Sequence, residues 1–304
     1  MNGNLHSYMK VGIVQFMAFP ATAKGEGQAA IDNIKAITDD SFFGAIEVTE
    51  FADAATRAKA AGILKVAGMP VGFGAQPVEL GNKLDINSLD EAKRVAAISR
   101  LTAAIEQAAE LGASKFAVLS GKDPGEAQRA QATDQLVKSL NELAAAAEAK
   151  GMSLVLETFD REIDKCALMG PTHEAVEVAK RVREQHPSFG LMIDLSHLPQ
   201  QFETAKDALT QAGPYLSHAH IGNCVIKNKA SKVYGDLHPR FGCEEGENDV
   251  AEVVEFLRQL MAVGYIGEGK QNVVAFEVKP YGDETPETLI AQSKRVLLEA
   301  WAKL

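Results

Sequence analysis

Residues 191–197 read LMIDLSH: three apolar residues, an aspartate, and a histidine three positions beyond it. Flanked by Gly190 and Pro199, the run has the length and composition of a buried strand. Its polar residues sit at the C-terminal end. A buried carboxylate without a partner is costly, so Asp194 calls for a hydrogen-bond donor, a cation or a metal ion. Taken alone, the stretch reads equally as a cap (Asp194) followed by a hydrogen-bonded core histidine (His197).

Outward from this strand, short apolar runs alternate with longer amphipathic ones. Strands are expected at Val11–Phe16, Gly44–Glu50, Met69–Gln76, Lys115–Ser120, Ser153–Phe159, Phe189–Leu195, Leu216–Ile221 and Asn272–Val278. Helices are expected at Gly27–Thr38, Ala52–Ala67, Leu89–Leu111, Gly125–Lys150, His173–Glu184, Phe202–Gln211, Asp249–Val263 and Pro286–Trp301. Strands alternating with helices imply parallel pairing through right-handed crossovers. Eight such units in 304 residues predict an α/β fold, a (β/α)8 TIM barrel, as one domain over residues 1–304, with residues 1–8 a flexible lead-in. A doubly wound sheet is the alternative. One long irregular connection, Gly222 to Asn248, follows the seventh strand, and connections of that length are usually functional.

Composition narrows the function. The net charge is −10 and no Lys/Arg cluster occurs, so nucleic acid is not an expected partner. Cys166, Cys224 and Cys243 have no framework spacing, which suits a reducing compartment. No long apolar run and no apolar leader are present, so no membrane association is expected and the expected setting is the cytoplasm. Neither a GxGxxG after a strand nor a GxxxxGK[ST] occurs, which removes the main support for nucleotide binding.

A barrel carries its chemistry at the C-terminal ends of its strands. Here SLVLETF ends near Glu157, the sixth strand carries Asp194 and His197, and LSHAHIGN carries His218 and His220 on one side. VVAFEVKP carries Glu277, with Lys279 two residues on. Four consecutive strands thus finish on metal-capable residues, and one shared site explains them better than four separate structural roles. Three carboxylates with an imidazole form a hard, oxygen-rich set. Such a set suits one divalent ion, Mn2+ foremost, with Mg2+, Co2+ or Zn2+ as alternatives.

These residues resemble the xylose-isomerase-like TIM barrels, a superfamily of ketose 3-epimerases, sugar isomerases and tri-zinc apurinic endonucleases (endonuclease family 2). The family's Glu at the end of the fifth strand matches Glu157, its D-x-x-H matches Asp194 and His197, and its H-x-H matches His218 and His220. The Glu of its eighth strand matches Glu277. The resemblance implies a metal held by Glu157, Asp194, His220 and Glu277, with His197 contacting a substrate oxygen. In the loop GDLHPRFGCEEGEND it implies substrate contacts by His238 or Arg240, and Lys279 is a further candidate for an acidic substrate. It also implies a small carbohydrate substrate and a homodimer or homotetramer.

Within the family, the nuclease branch needs histidines at the ends of strands three and four, where MPVGFGAQ and KFAVLSG have none, although Asp236-Leu237-His238 matches its D-x-H. A metal-dependent sugar isomerase or epimerase working through an enediolate is the expected activity, with Glu157 and Glu277 as catalytic carboxylates and His197 assisting. The alternatives are a lyase, a decarboxylase or a C-glycoside-cleaving subunit acting on an oxidised sugar, and a scaffold without catalysis. Glu47 and Glu50 in FFGAIEVTE either face the site or serve as surface or cap residues, the latter reading being preferred for Glu50.

Overall fold

A computed structural model describes residues 3–304. The strands are β1 (Lys10–Ile13), β2 (Ile46–Val48), β3 (Val71–Gly74), β4 (Ala113–Leu119), β5 (Ser153–Glu157), β6 (Gly190–Asp194), β7 (Leu216–Ile221) and β8 (Val273–Phe276). All pair in parallel, in the order β1-β8-β7-β6-β5-β4-β3-β2. The seam between β1 and β2 is held by a bridge from Val14 to Glu47 and by Gly44 and Ala45 N–H groups donating to Val11 O. The sheet is therefore a nearly closed (β/α)8 barrel.

Around it lie α1 (Gln15–Ala18), α2 (Gly27–Thr38), α3 (Ala54–Ala67), α4 (Gln76–Asn82), α5 (Glu91–Glu110) and α6 (Glu126–Glu148). The second half adds α7 (Thr172–Arg183), α8 (His197–Gln201), α9 (Ala205–Ala212), α10 (Val250–Ala262) and α11 (Pro286–Ala302). Caps set several of these ends. Asp53 accepts from Ala55 and Thr56 N–H before α3, which stops at Gly68 with φ 64°. Thr285 caps α11, whose first turn begins with Pro286.

Alternation along the strands separates two layers of core. Leu154 and Leu156 pack outward into the main apolar core, while Val155 turns inward with Ala117 and Met192 to form a small cluster inside the barrel. Glu157 shares the inward side with Val155, and His218 and His220 share the inward side of β7.

Three local expectations change. The run expected as one strand to Phe16 leaves the ladder at Ile13 and turns into α1, because Val14 is taken up by the bridge to Glu47 at the barrel rim. The helix expected over Phe202–Gln211 breaks at Phe202, which has φ 58°, and Thr204 starts α9 by accepting from Asp207 N–H. The lead-in expected to be flexible is packed from Gly3 onward, Met1 and Asn2 lying outside the described residues. Leu5 is buried, Trp301 Nε1 donates to Gly3 O at 2.8 Å, and Tyr8 packs edge-on against Trp301 at 5.1 Å.

The connection after β7 carries no helix or strand before Val250 among the described residues. Asn248 ties it back to the barrel, its Nδ2 donating to Leu195 O at 3.1 Å and to Gly222 O at 3.0 Å. No helix among the described residues is long and apolar enough to cross a membrane.

Candidate metal centre

Four neighbouring strands deliver the site. Asp194 on β6 lies beside His220 on β7, and Glu157 ends β5 opposite Met192. Glu277 follows β8, its backbone N–H donating to Ile221 O at 3.0 Å. Ligand atoms of Glu157, Asp194, His220 and Glu277 all lie within 4.8 Å of one another. Glu157 Oε1 and Asp194 Oδ2 are buried and have no hydrogen-bond partner among the described residues. Leaving such oxygens unsatisfied costs about 1–3 kcal/mol each, and more when charged. The two orphaned oxygens, His220 Nδ1 and the Glu277 carboxylate together fit a divalent cation.

The remaining atoms of these groups are fixed. Gln76 Nε2 donates to Glu157 Oε2 at 2.6 Å, and Ser196 N–H donates to Asp194 Oδ1 at 2.7 Å. His220 Nδ1 is 2.7 Å from Glu277 Oε2, and its Nε2 is 3.0 Å from both oxygens of Glu47. Both ring nitrogens face acceptors, so the metal-free ring carries two protons. Burial works against that cation, but Glu47 and Glu277 outweigh it and hold the His220 pKa well above its ordinary value.

The two outer carboxylates are driven apart. Burial pushes Glu157 up to about 8, with Glu277 and Asp194 adding to the rise. Burial also opposes ionisation of Glu277, yet His238 and His220 outweigh it and hold that carboxyl at about 2. One proton-bearing and one ionised carboxyl at the same point is the arrangement that acid–base chemistry uses.

Two other groupings of ligand-type residues are closed by internal hydrogen bonds. In Glu47–His218–His220, His218 Nε2 is 2.7 Å from Glu47 Oε1. In Asp194–His197–His238, both rings turn to Asp236, at 3.0 Å and 2.8 Å.

His197 is 1% exposed, donates from Nδ1 to Thr158 O at 2.8 Å and does not reach the cavity. Its ring contacts Asp236 and lies close to the two unpartnered oxygens of Glu157 and Asp194. Its Nδ1 is 3.7 Å from Glu157 Oε1 and its Nε2 3.9 Å from Asp194 Oδ2. His238, with φ 51°, faces the cavity and holds Lys279 N–H through its carbonyl at 2.8 Å. Lys279 lines the cavity as expected, its Nζ 5.4 Å above the Tyr281 ring. Arg240 does not line it. Its guanidinium turns to Glu284 at 3.2 Å and to the carbonyls of Phe241 and Gly242.

The cavity over the site, lined by His220 and Glu277 of the four, measures about 260 Å³. Phe16, Met17, Leu80 and Phe159 give it an apolar wall, and Gln76 and Lys165 contribute polar atoms. Sequence reading missed Lys165, which pairs with Asp164 and Asp236 at 2.8 Å, because it stands in the irregular stretch after β5. Gln76 also went unmarked, although its place at the end of an expected strand was a usable signal. Glu50 does act at the surface, paired with Arg100 and Gln107.

The family model described as xylose isomerase-like TIM barrel matches residues 28–300. A D-psicose 3-epimerase of Ruminiclostridium cellulolyticum is 32% identical over 91 residues, so the match covers 30% of this chain and only 30% of that enzyme's length. Among solved structures, an L-ribulose 3-epimerase superposes with a TM-score of 0.72 at 20% identity, covering 97% of this chain and 96% of that one. The IOLI protein with a bound zinc atom superposes with a TM-score of 0.71 at 16% identity, covering 97% and 99%.

Proposed function

The chain belongs to the xylose isomerase-like TIM barrel family, and on that premise we propose that it is a divalent-metal-dependent ketose epimerase acting beside the carbonyl. The observation that carries this reading is the convergence of Glu157, Asp194, His220 and Glu277, with two orphaned carboxylate oxygens aimed at one point. The similarity to ketose 3-epimerases supports the third carbon as the reacting centre.

A bound divalent ion would draw electron density from the ketose carbonyl and its neighbouring hydroxyl, making the C–H between them acidic enough to ionise. The chain's own residues do the rest. Gln76 fixes the Glu157 carboxyl from one side of the cavity, while Glu277 reaches it from the other end of the four-strand arc. One carboxylate removes the proton from carbon and the other returns a proton to the opposite face, which inverts the stereocentre. His197, held by Thr158 and Asp236, keeps a positive charge beside the unpartnered oxygens of Glu157 and Asp194. Phe16, Phe159 and Leu80 exclude water from the reacting face.

Metal-loaded protein incubated with a panel of ketoses in D2O tests the reading. We expect one solvent deuteron to enter at the epimerised carbon, with about one divalent ion per chain by elemental analysis. A protein that takes up the ion yet exchanges no ketose is not this enzyme.

A further inference from the structure

The cavity over the candidate metal site has a neighbour across its apolar wall. Leu80 and Lys165 also line a second cavity of about 650 Å³ on the β3–β4 side of the barrel mouth. Lys83 just after α4, Lys93 on α5, and Ser120 and Lys122 just beyond β4 supply its other polar walls. Four lysines thus surround one space in a chain whose formal charge is −10.

Two of the four have no ion-pair partner among the described residues. Lys165 is held by Asp164 and Asp236. Lys93 has Asp90, at 3.9 Å, and the more distant charge of Asp85, and neither Lys83 nor Lys122 forms an ion pair among the described residues. The two acids of the wall are turned to backbone: Glu79 Oε2 accepts from Leu119 N–H at 2.9 Å, and Asp85 Oδ1 accepts from Asn87 N–H at 3.1 Å. Ser120, only 2% exposed, accepts from Met169 N–H at 2.9 Å, while its own hydroxyl hydrogen has no acceptor among the described residues. Like charges facing one space repel, and an anion there relieves the repulsion and satisfies the serine donor.

We propose that this second cavity is an anion subsite, and that the natural substrate is a ketose carrying a phosphate or a carboxylate at the end remote from the reacting carbon. The inference rests on the ketose reading above and names the substrate class. Binding energy from such a remote group holds the sugar chain in register over the metal ligands.

The metal-loaded protein is assayed for deuterium exchange with a free ketohexose, its terminal phosphate ester and the matching terminal carboxylate. At least one anionic ketose should exceed the free sugar in kcat/KM by about tenfold or more, and which one does so identifies the anion. The double variant Lys83→Gln/Lys122→Gln, both exposed positions, should reduce that preference by about tenfold, chiefly through KM. A preference for the free sugar, or one that survives the double substitution, overturns the subsite. If no ketose exchanges, the epimerase reading fails on its own account. The subsite is then judged by calorimetric titration with glycerol 3-phosphate and with glycerate. Binding by the wild type that weakens about tenfold in the double variant sustains it; no binding, or equal binding, overturns it.

Discussion

Both carboxylate oxygens of Glu47 lie 3.0 Å from Nε2 of His220, across 173 positions of chain. Glu47 also accepts from His218 Nε2 at 2.7 Å. Burial opposes its charge, but the two imidazoles outweigh that and hold its carboxyl well below the ordinary range. An ionised Glu47 fixes the proton on His220 Nε2, so that Nδ1 is the nitrogen left to offer a lone pair toward Glu157 and Glu277.

Glu47→Gln keeps the shape and removes the charge. Metal affinity should fall by about 10–100-fold, the usual cost of losing the carboxylate behind a histidine ligand. Competition with a chromogenic chelator measures it. An unchanged affinity would reduce Glu47 to a filler of the barrel interior.

Gly72 on β3 gives Glu47 its room. The two residues are partners in the β2–β3 ladder, and a Cβ on Gly72 would stand 2.9 Å from Glu47 Cγ. Gly72→Ala should displace Glu47, cost about 1–3 kcal/mol by overpacking, and weaken metal binding in the same direction as Glu47→Gln. Gly81→Ala is the control: a Cβ there meets nothing within 4 Å, and in α4 it should leave the midpoint unchanged or raise it. Thermal unfolding and chelator competition on both variants separate the two outcomes.

Metal binding should release protons. Glu157, pushed up to about 8, must lose its proton to act as a ligand, and His220 must give up the one on Nδ1. The logarithm of the apparent association constant should therefore climb by about 1–2 per pH unit on the approach to pH 8, and less steeply above it, where Glu157 has lost its proton and only that of His220 is displaced. The metal-free protein carries the same titration in its stability. The folded-state pKa of Glu157 lies above the ordinary 4.5, so the stability of its neutral form is fully present below about 4.5 and is lost as pH rises through about 8. Glu157→Gln should hence be the more stable protein above pH 8 in chelator, by roughly a few kcal/mol. Equal midpoints there would contradict the assignment.

The strands β5 to β8 and the residues at their ends were legible because each is an apolar run closing on a residue the core cannot use. Two-residue alternation then placed Glu157 and the His218/His220 pair on the inner side. The partners around them were less legible. Glu47 faces inward between the core residues Ile46 and Val48, but its two histidine partners come from β7, 171 and 173 positions on, and β2 alone does not reveal them. Lys165 and Asp236 meet through two loops distant in sequence, and only the barrel makes them neighbours. Arg240 shows the converse. Its residue type suits a substrate contact, but Glu284, in the loop after β8, captures the guanidinium. Helix α4 was not expected: it is only seven residues long and follows directly on the expected strand Met69–Gln76, although Pro77 lies in its first turn, where proline fits.

The roles of Glu157 and Glu277 can be separated isotopically. If they work on opposite faces of the sugar, each variant, Glu157→Gln or Glu277→Gln at saturating metal ion, should lose about 10²–10⁴-fold in epimerisation. Each should still exchange hydrogen with solvent from the one epimer whose C–H faces the surviving carboxylate. Starting the two variants from both epimers in D2O should give reciprocal patterns, Glu157→Gln labelling one epimer and Glu277→Gln the other. If one variant abolishes exchange from both epimers while the other abolishes it from neither, a single base serves both faces. The chemistry is then one-sided, and it leads to aldose–ketose isomerisation rather than inversion.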